Sequence, residues 1–205
     1  MKPVYVYSTQ QHPRGTKPCQ WMYRTYFQNP TIARNTHGLV LWDAENIAAN
    51  ALYRGENVAE ASADVYFQIR CIRAMFPRCK LGVYDLPPTN TTTDERHTDM
   101  HRRYCEVVAA VDYLCPLGYI YSIDSHLAEC ANIGSACKSA KQFNKPVMPI
   151  ITGTVGGTSD GQKLSDSDQY NLASCCKPYA DGWIIWDGHG VCDLQRMVDN
   201  LRRSE

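Results

Sequence analysis

The chain has 205 residues, enough for one domain or one barrel-like unit, and its 44% hydrophobic and 20% charged composition gives it a core to bury. Lys plus Arg and Asp plus Glu are both 21, so the formal net charge is zero, and no charge excess recommends a nucleic acid or an anionic membrane as partner. No apolar run approaches the roughly 20 residues of a membrane span, and Met1-Lys2-Pro3-Val4 enters a strand pattern directly, with no visible signal peptide.

Residues 3–8 read as a β-strand rich in β-branched and aromatic side chains. A loop follows, then a short helix over 19–28 that Asn29-Pro30 ends. The second strand is 38–43. Over 57–76, Val58, Ala61, Val65, Ile69, Ile72 and Phe76 keep a helical period that Pro77 closes. A third strand spans 80–87. A polar loop with a formal glycosylation sequon at Asn90 leads to a helix capped by Thr93 or Asp94 and running to about Val111. The fourth strand, 112–121, contains Pro116 and Gly118, which predict a bulge or an edge. Ser125 is placed to cap a helix to about Phe143, and 146–152 is the fifth strand. After a Gly/Ser/Thr-rich loop, Ser165 and Asp168 stand in capping-box spacing at the next helix. The sixth strand is 181–187, and a final helix ends in Arg202-Arg203.

Strand and helix thus alternate six times, which argues for a parallel sheet with helical crossovers, either a barrel or an open doubly wound sheet. No G-x-G-x-x-G follows the first strand, so no dinucleotide cofactor is expected. A closed eight-fold barrel usually needs about 250 residues. The expected fold is therefore α/β: a (β/α) TIM-like barrel, short or incompletely closed, of about six to seven parallel strands, with 1–205 as a single domain.

Ten cysteines stand at 19, 71, 79, 105, 115, 130, 137, 175, 176 and 192. None forms C-x-x-C or zinc spacing, so no metal is expected. They are either reduced, buried small hydrophobes or pairs formed in an oxidising compartment. Cys71, Cys105 and Cys137 lie in apolar helix patterns, which suits the first reading. No cysteine sits beside a clear base, so none is singled out as a nucleophile.

Barrel enzymes keep their chemistry at the C-terminal ends of the strands. Here those ends are Asp43 and Glu45; Tyr84 and Asp85; Tyr119 and Tyr121; Thr152; and Trp186 and Asp187. Alternate strand residues share a face, so a strand continued through Glu45 aims Asp43 and Glu45 the same way. Two carboxyls held that close do not ionise independently, and the one kept protonated becomes a proton donor. The bland alternative is a strand running into a solvated acidic loop. Aromatic faces stack on sugar rings and carboxylates supply the acid and base of glycoside hydrolysis. Each aromatic taken singly is better read as bordering a core; it is the recurrence over four strand ends that points to a sugar.

The motifs also resemble a family. Leu41-Trp42-Asp43-Ala44-Glu45 resembles the Asp-x-Glu strand end of the hyaluronidases, glycoside hydrolases with a distorted (β/α) barrel. Met75-Phe76-Pro77 with Leu81-Gly82-Val83-Tyr84, then Asp112-Tyr113-Leu114-Cys115-Pro116-Leu117-Gly118-Tyr119, are similar to the next two motifs. Lys145-Pro146-Val147-Met148-Pro149 and Ala180-Asp181-Gly182-Trp183-Ile184-Ile185-Trp186 follow in order, covering about residue 38 to the C-terminus. The chain departs from the family in following Glu45 with Asn46-Ile47-Ala48-Ala49 rather than Trp and a long insertion, in lacking a strand before Pro3, and in shortening the loop after Tyr84. Hyaluronan itself is therefore not the expected substrate.

The resemblance implies Glu45 as proton donor to the glycosidic oxygen and Asp43 as its modulator, orienting the sugar's 2-acetamido group. That group attacks the anomeric carbon in a retaining, substrate-assisted reaction. Tyr84 and Tyr119 would hydrogen-bond the acetamido group or the developing charge, and Trp186 would wall the sugar ring. Asp85, Tyr121 and Asp187 join the substrate-binding set. A second route makes Asp187 or Asp85 the base or nucleophile opposite Glu45. The reading from another class is a catalytically inactive carbohydrate-binding or structural barrel, whose open strand edges drive self-association. The expected partner is a glycan or oligosaccharide. The family implies an extracellular protein. His189, between two glycines, reads as a loop residue.

Overall fold

The structure is a computed structural model and describes residues 4–8, 38–43, 47–86, 103–155, 162–186 and 193–203. The expectations for the helix over 19–28, the cap at Thr93 or Asp94, the Asn90 sequon, Glu45, Asp187 and His189 lie outside the described residues. The chain groups into two compact units, Met1–Tyr84 with Thr98–Tyr113, and Asp85–His97 with Leu114–Glu205.

In the first unit, strands β1 (Val4–Ser8), β2 (Gly38–Asp43) and β3 (Cys79–Tyr84) are parallel, with β2 in the middle. The register pairs Val4 with Leu39 and Ser8 with Asp43 on one side of β2, and Gly38 with Cys79 and Trp42 with Val83 on the other. Leu39, Val40, Leu41 and Trp42 are all buried. Successive strand residues point to opposite faces, so both faces of β2 are covered, as in parallel sheets. Helix α1 (Ile47–Arg54) follows, where the sequence reading had only a short connection. Its Ala48, Ala49, Ala51 and Leu52 are strong helix formers. Helix α2 (Val58–Met75) buries Ala61, Val65, Ile69, Ile72 and Met75 on one face, the predicted period. It ends where Phe76 N–H returns to the Ile72 carbonyl and Pro77 forbids a further turn. Residues 103–110 form helix α3, tied to α2 by Ser62 Oγ donating to Glu106 Oε2 at 3.2 Å.

Asp112 clamps this unit. Its Oδ2 accepts from the Leu81 N–H and from Arg73 Nη2, each at 2.9 Å, and Arg73 Nε donates to the Ala110 carbonyl at 2.8 Å.

The strand expected over 112–121 is broken into β4 (Tyr113–Cys115), which straddles the unit boundary, and β5 (Leu117–Gly118). Pro116 lies between them, lacking the N–H that a ladder needs. In the second unit β5, β6 (Ile150–Thr152) and β7 (Ile184–Trp186) form a parallel sheet with β6 central. Gly118 is required here: a Cβ would stand 2.7 Å from the Ile150 carbonyl oxygen of the neighbouring strand. Helices α4 (His126–Lys141), α5 (Asp166–Cys176) and α6 (Leu194–Arg203) complete the unit, and α5 packs against both others. The Ser165 capping box forms as expected, Ser165 Oγ accepting from Asp168 N–H and Asp168 Oδ2 from Ser165 N–H, each at 3.2 Å. Ser125, expected to cap α4, makes no cap bond; its hydroxyl goes to Glu129 Oε1 at 2.7 Å. Asp181 is the clamp of this unit. It accepts from the Val147 N–H at 2.8 Å and from Lys141 Nζ at 2.6 Å.

The expectation of an α/β chain with parallel strands stands. Among the described residues the strands form a four-stranded sheet in the order β1-β2-β3-β4 and a three-stranded parallel sheet in the order β5-β6-β7, with no pairing that closes them into a barrel. No described helix is long and apolar enough to cross a membrane.

Candidate functional site

Parallel pairing sets the C-terminal ends of neighbouring strands along one edge of a sheet. In the first unit that edge carries Ser8, Asp43 and Tyr84, the last residues of β1, β2 and β3. The backbone of Asp43 is fixed there opposite Ser8, and Tyr84 is half-buried one residue beyond Val83, the partner of Trp42. Trp42 is fully buried, and among the described residues its Nε1 has no hydrogen-bond partner. Glu45 lies outside the described residues, so the strand-end carboxyl placed by the fold is the Asp43 backbone position alone.

The second unit opens with Asp85, half-buried and in the left-handed region at φ 52. Non-glycine residues take this conformation uncommonly, Asp and Asn more readily than most. The chain thus turns sharply as it leaves β3.

The edge of the second sheet is aromatic. Gly118 pairs with Ile151, and Thr152 with Trp186, so Tyr119, Thr152 and Trp186 stand at adjacent strand ends. Trp186 is 40% exposed and Tyr121 is 56% exposed, while Tyr119 is half-buried. The Tyr119 and Tyr121 rings lie 6.2 Å apart at 57°, a tilted pair within the favoured range for aromatics. Thr152 is taken up locally, its Oγ1 sharing a 2.9 Å hydrogen bond with Thr154 Oγ1 and accepting the Thr154 N–H at 3.2 Å. The structure therefore brings Tyr119, Tyr121 and Trp186 to one unit and one sheet edge, and places Asp43 and Tyr84 on the corresponding edge of the other unit. Asp187 lies outside the described residues.

Two residues behind the aromatic edge were missed in the sequence. Glu129, in the first turn of α4, accepts the Tyr121 N–H through Oε2 and the Ser125 hydroxyl through Oε1. The signal was the i, i+4 spacing of Ser125 and Glu129. His126 Nδ1 lies 2.7 Å from the Ile123 carbonyl oxygen and its Nε2 lies 3.3 Å from Asp168 Oδ1. This joins the first turns of α4 and α5.

The described thiols that burial reaches are not activated nucleophiles. Burial pushes those of Cys79, Cys115 and Cys175 up and contributes most to raising that of Cys130 to about 12. Cys71 is disulfide-bonded, which corrects the reading of it as a reduced thiol; Cys105 is reduced, as that reading has it, but exposed rather than buried. Among the described residues no group of three or more His, Cys, Asp or Glu gathers as a metal site would require.

No family model and no curated protein matches this sequence. Solved structures do. Bee venom hyaluronidase, in complex with a hyaluronic acid tetramer, superposes with a TM-score of 0.69 at 14% identity, covering 98% of this chain and 83% of that one. The likeness is one of fold. The carboxyl transferase domain of pyruvate carboxylase from Rhizobium etli gives 0.52 at 11% identity, over 98% of this chain and 34% of its own. DHDPS from Cyanidioschyzon merolae with lysine bound gives 0.53 at 11% identity, over 98% and 59%. These are TIM-barrel proteins of unlike chemistry, so the hyaluronidase resemblance read from the motifs is matched by a distant structural similarity and by no family at the sequence level.

Proposed function

We propose that this chain is a glycosidase acting on a glycan that contains N-acetylhexosamine, built on a short (β/α) barrel that uses residues 1–205 as one domain. The observation that carries the proposal is Asp43 closing a parallel strand in a chain whose backbone follows a hyaluronidase over 98% of its length. In this reading Glu45 protonates the glycosidic oxygen. Asp43 raises the proton affinity of Glu45 and orients the 2-acetamido group, whose carbonyl oxygen attacks the anomeric carbon with retention. Tyr84 and Tyr119 hydrogen-bond that group, and Trp186 and Tyr121 offer faces to the sugar rings. Asp85 and Asp187 complete the binding set, or one of them serves as base or nucleophile opposite Glu45; inversion at the anomeric carbon would select the base.

Glu45→Gln is the direct test, assayed on chromogenic N-acetylhexosaminides and soluble glycosaminoglycans. Loss of a general acid is expected to lower kcat by about 10²–10⁴-fold. Equal release by wild type and variant, or none by either, sinks the catalytic reading. The exposed Tyr121 and Trp186 favour one other reading, a binding barrel without catalysis, because stacking on sugar needs no acid. Binding kept by Glu45→Gln and lost in Trp186→Ala, with no product from either or from wild type, selects it.

A further inference from the structure

Opposite its buried face, helix α2 carries Glu60, Ala63, Phe67, Arg70 and Ala74, all exposed. Steps of three, four, three and four set these five in one stripe, the spacing of a seam between two packed helices. The solvent side of a surface helix is ordinarily polar. Here Phe67 is 52% exposed in the middle of the stripe, and Tyr66, 39% exposed, stands beside it. Alanine flanks the middle on both sides, at 63 and at 74, and small residues let a facing helix come close. The charges are also unmet. Glu60 and Asp64 are like charges four residues apart, a spacing that destabilises a helix. The side chains of Glu60, Asp64 and Arg70 have no ion-pair or hydrogen-bond partner among the described residues.

We propose that this face is the contact surface of a homodimer, in which α2 packs antiparallel on α2 of a second copy about a two-fold axis between Phe67 and Arg70. The stripe is self-complementary about that point. Phe67 and Arg70 are equidistant from it, and so are Ala63 and Ala74. The axis lays the guanidinium of the partner's Arg70 on the Phe67 ring, a cation–π contact, and the partner's Ala74 against Ala63. Asp64, three residues before Phe67, takes the edge of the same guanidinium. In an isologous interface each contact is made twice. A parallel pair would set Arg70 against Arg70 and Asp64 against Asp64, so charge selects the antiparallel one. The formal net charge of zero adds no long-range repulsion between copies. One helix pair lies at the low end of specific interfaces, below about 1,200 Å², so the dimer is weak and depends on concentration. No residue of the proposed sugar site takes part, and the dimer stands or falls apart from that reading.

The test is sedimentation velocity on the full chain from about 1 μM to about 1 mM, with melting temperatures at the lowest concentration to show that each variant folds. Wild type is expected to pass from monomer to dimer. Phe67→Ser should weaken association at least about tenfold. Arg70→Glu and Asp64→Arg should each weaken it about tenfold as well, because like charges then face across the axis. Mixing these two charge variants should recover most of the wild-type affinity. In the mixed pair the two introduced charges meet each other and the two unaltered ones meet each other, a rescue that only reciprocal contact gives. A chain monomeric over the whole range overturns the proposal. So does a dimer indifferent to all three substitutions, which another surface such as a strand edge would hold, and so does a mixture that associates no better than either variant alone.

Discussion

The two units clamp their sheets with one device built from different side chains. In each, an aspartate ahead of a strand accepts a backbone N–H from the neighbouring segment and a basic side chain from the last turn of a helix: Asp112 with Leu81 and Arg73, Asp181 with Val147 and Lys141. A cation at a helix C-terminus also meets the negative end of the helix dipole. The difference lies in the cation and in the depth. Arg73 offers a fork, one arm to Asp112 and its Nε to Ala110, whereas Lys141 brings a point charge. The Asp112 side chain is 24% exposed and that of Asp181 is 43% exposed. The same architectural role is thus filled by a geometric clasp in one unit and an electrostatic one in the other.

Removing the aspartates separates them most. Asp112→Ala leaves the N–H of buried Leu81 without its acceptor and Arg73 without its carboxylate, and should lower stability by about 2–3 kcal/mol in urea unfolding. Asp181→Ala should lower it by about 1–2 kcal/mol, since water reaches the site. Equal losses would erase the distinction. Charge is tested by acid. Burial alone would raise the Asp181 carboxyl, but the hydrogen bonds from Lys141 and the Val147 N–H, with the Lys141 charge, hold it below its ordinary value of 3.8. A folded value lower than the unfolded one gives stability that is complete above the unfolded value and is lost as pH falls through the folded one. Asp181→Asn keeps an oxygen for Val147 and removes the charge. Its deficit against wild type should therefore be full near neutrality, shrink below that ordinary value and vanish only as pH falls through the lowered folded one, and a deficit constant with pH would refute the assignment. The smallest effect comes from exchanging the cations. Arg73→Lys should cost about 1 kcal/mol by losing the fork, and Lys141→Arg about 0–0.5 kcal/mol of change in either direction, both read by thermal unfolding.

Much of the local pattern could be read from the chain. The all-apolar run Leu39 to Trp42 announces a strand covered on both faces, the α2 period gives its buried face, and Pro116 and Gly118 mark the break between β4 and β5. Helix α1 is not announced by the sequence pattern because Ile47–Arg54 is only eight residues long and stands where a short connection after Glu45 is expected. Asp181 was read as the first residue of a strand, but its partners lie 34 and 40 residues away in sequence, and no local pattern encodes such a contact. The same holds for the site. Which residues end strands is a local matter, and Asp43, Tyr84 and Trp186 do end them. What Glu129 does for Tyr121 depends on how the segment between β5 and α4 folds back, which spacing alone does not reveal.

In the proposed sugar-binding reading that fold-back bears on recognition. An exposed tyrosine on a loose loop surrenders conformational freedom when it meets a ligand, and affinity is diminished accordingly. The Tyr121 main chain is already held by the Glu129 carboxylate, which is itself seated by Ser125 on the first turn of a helix. The ordering is completed during folding, so a ring that stacks on Tyr121 meets a preorganised face, and the entropy lost on contact is mainly the ligand's own.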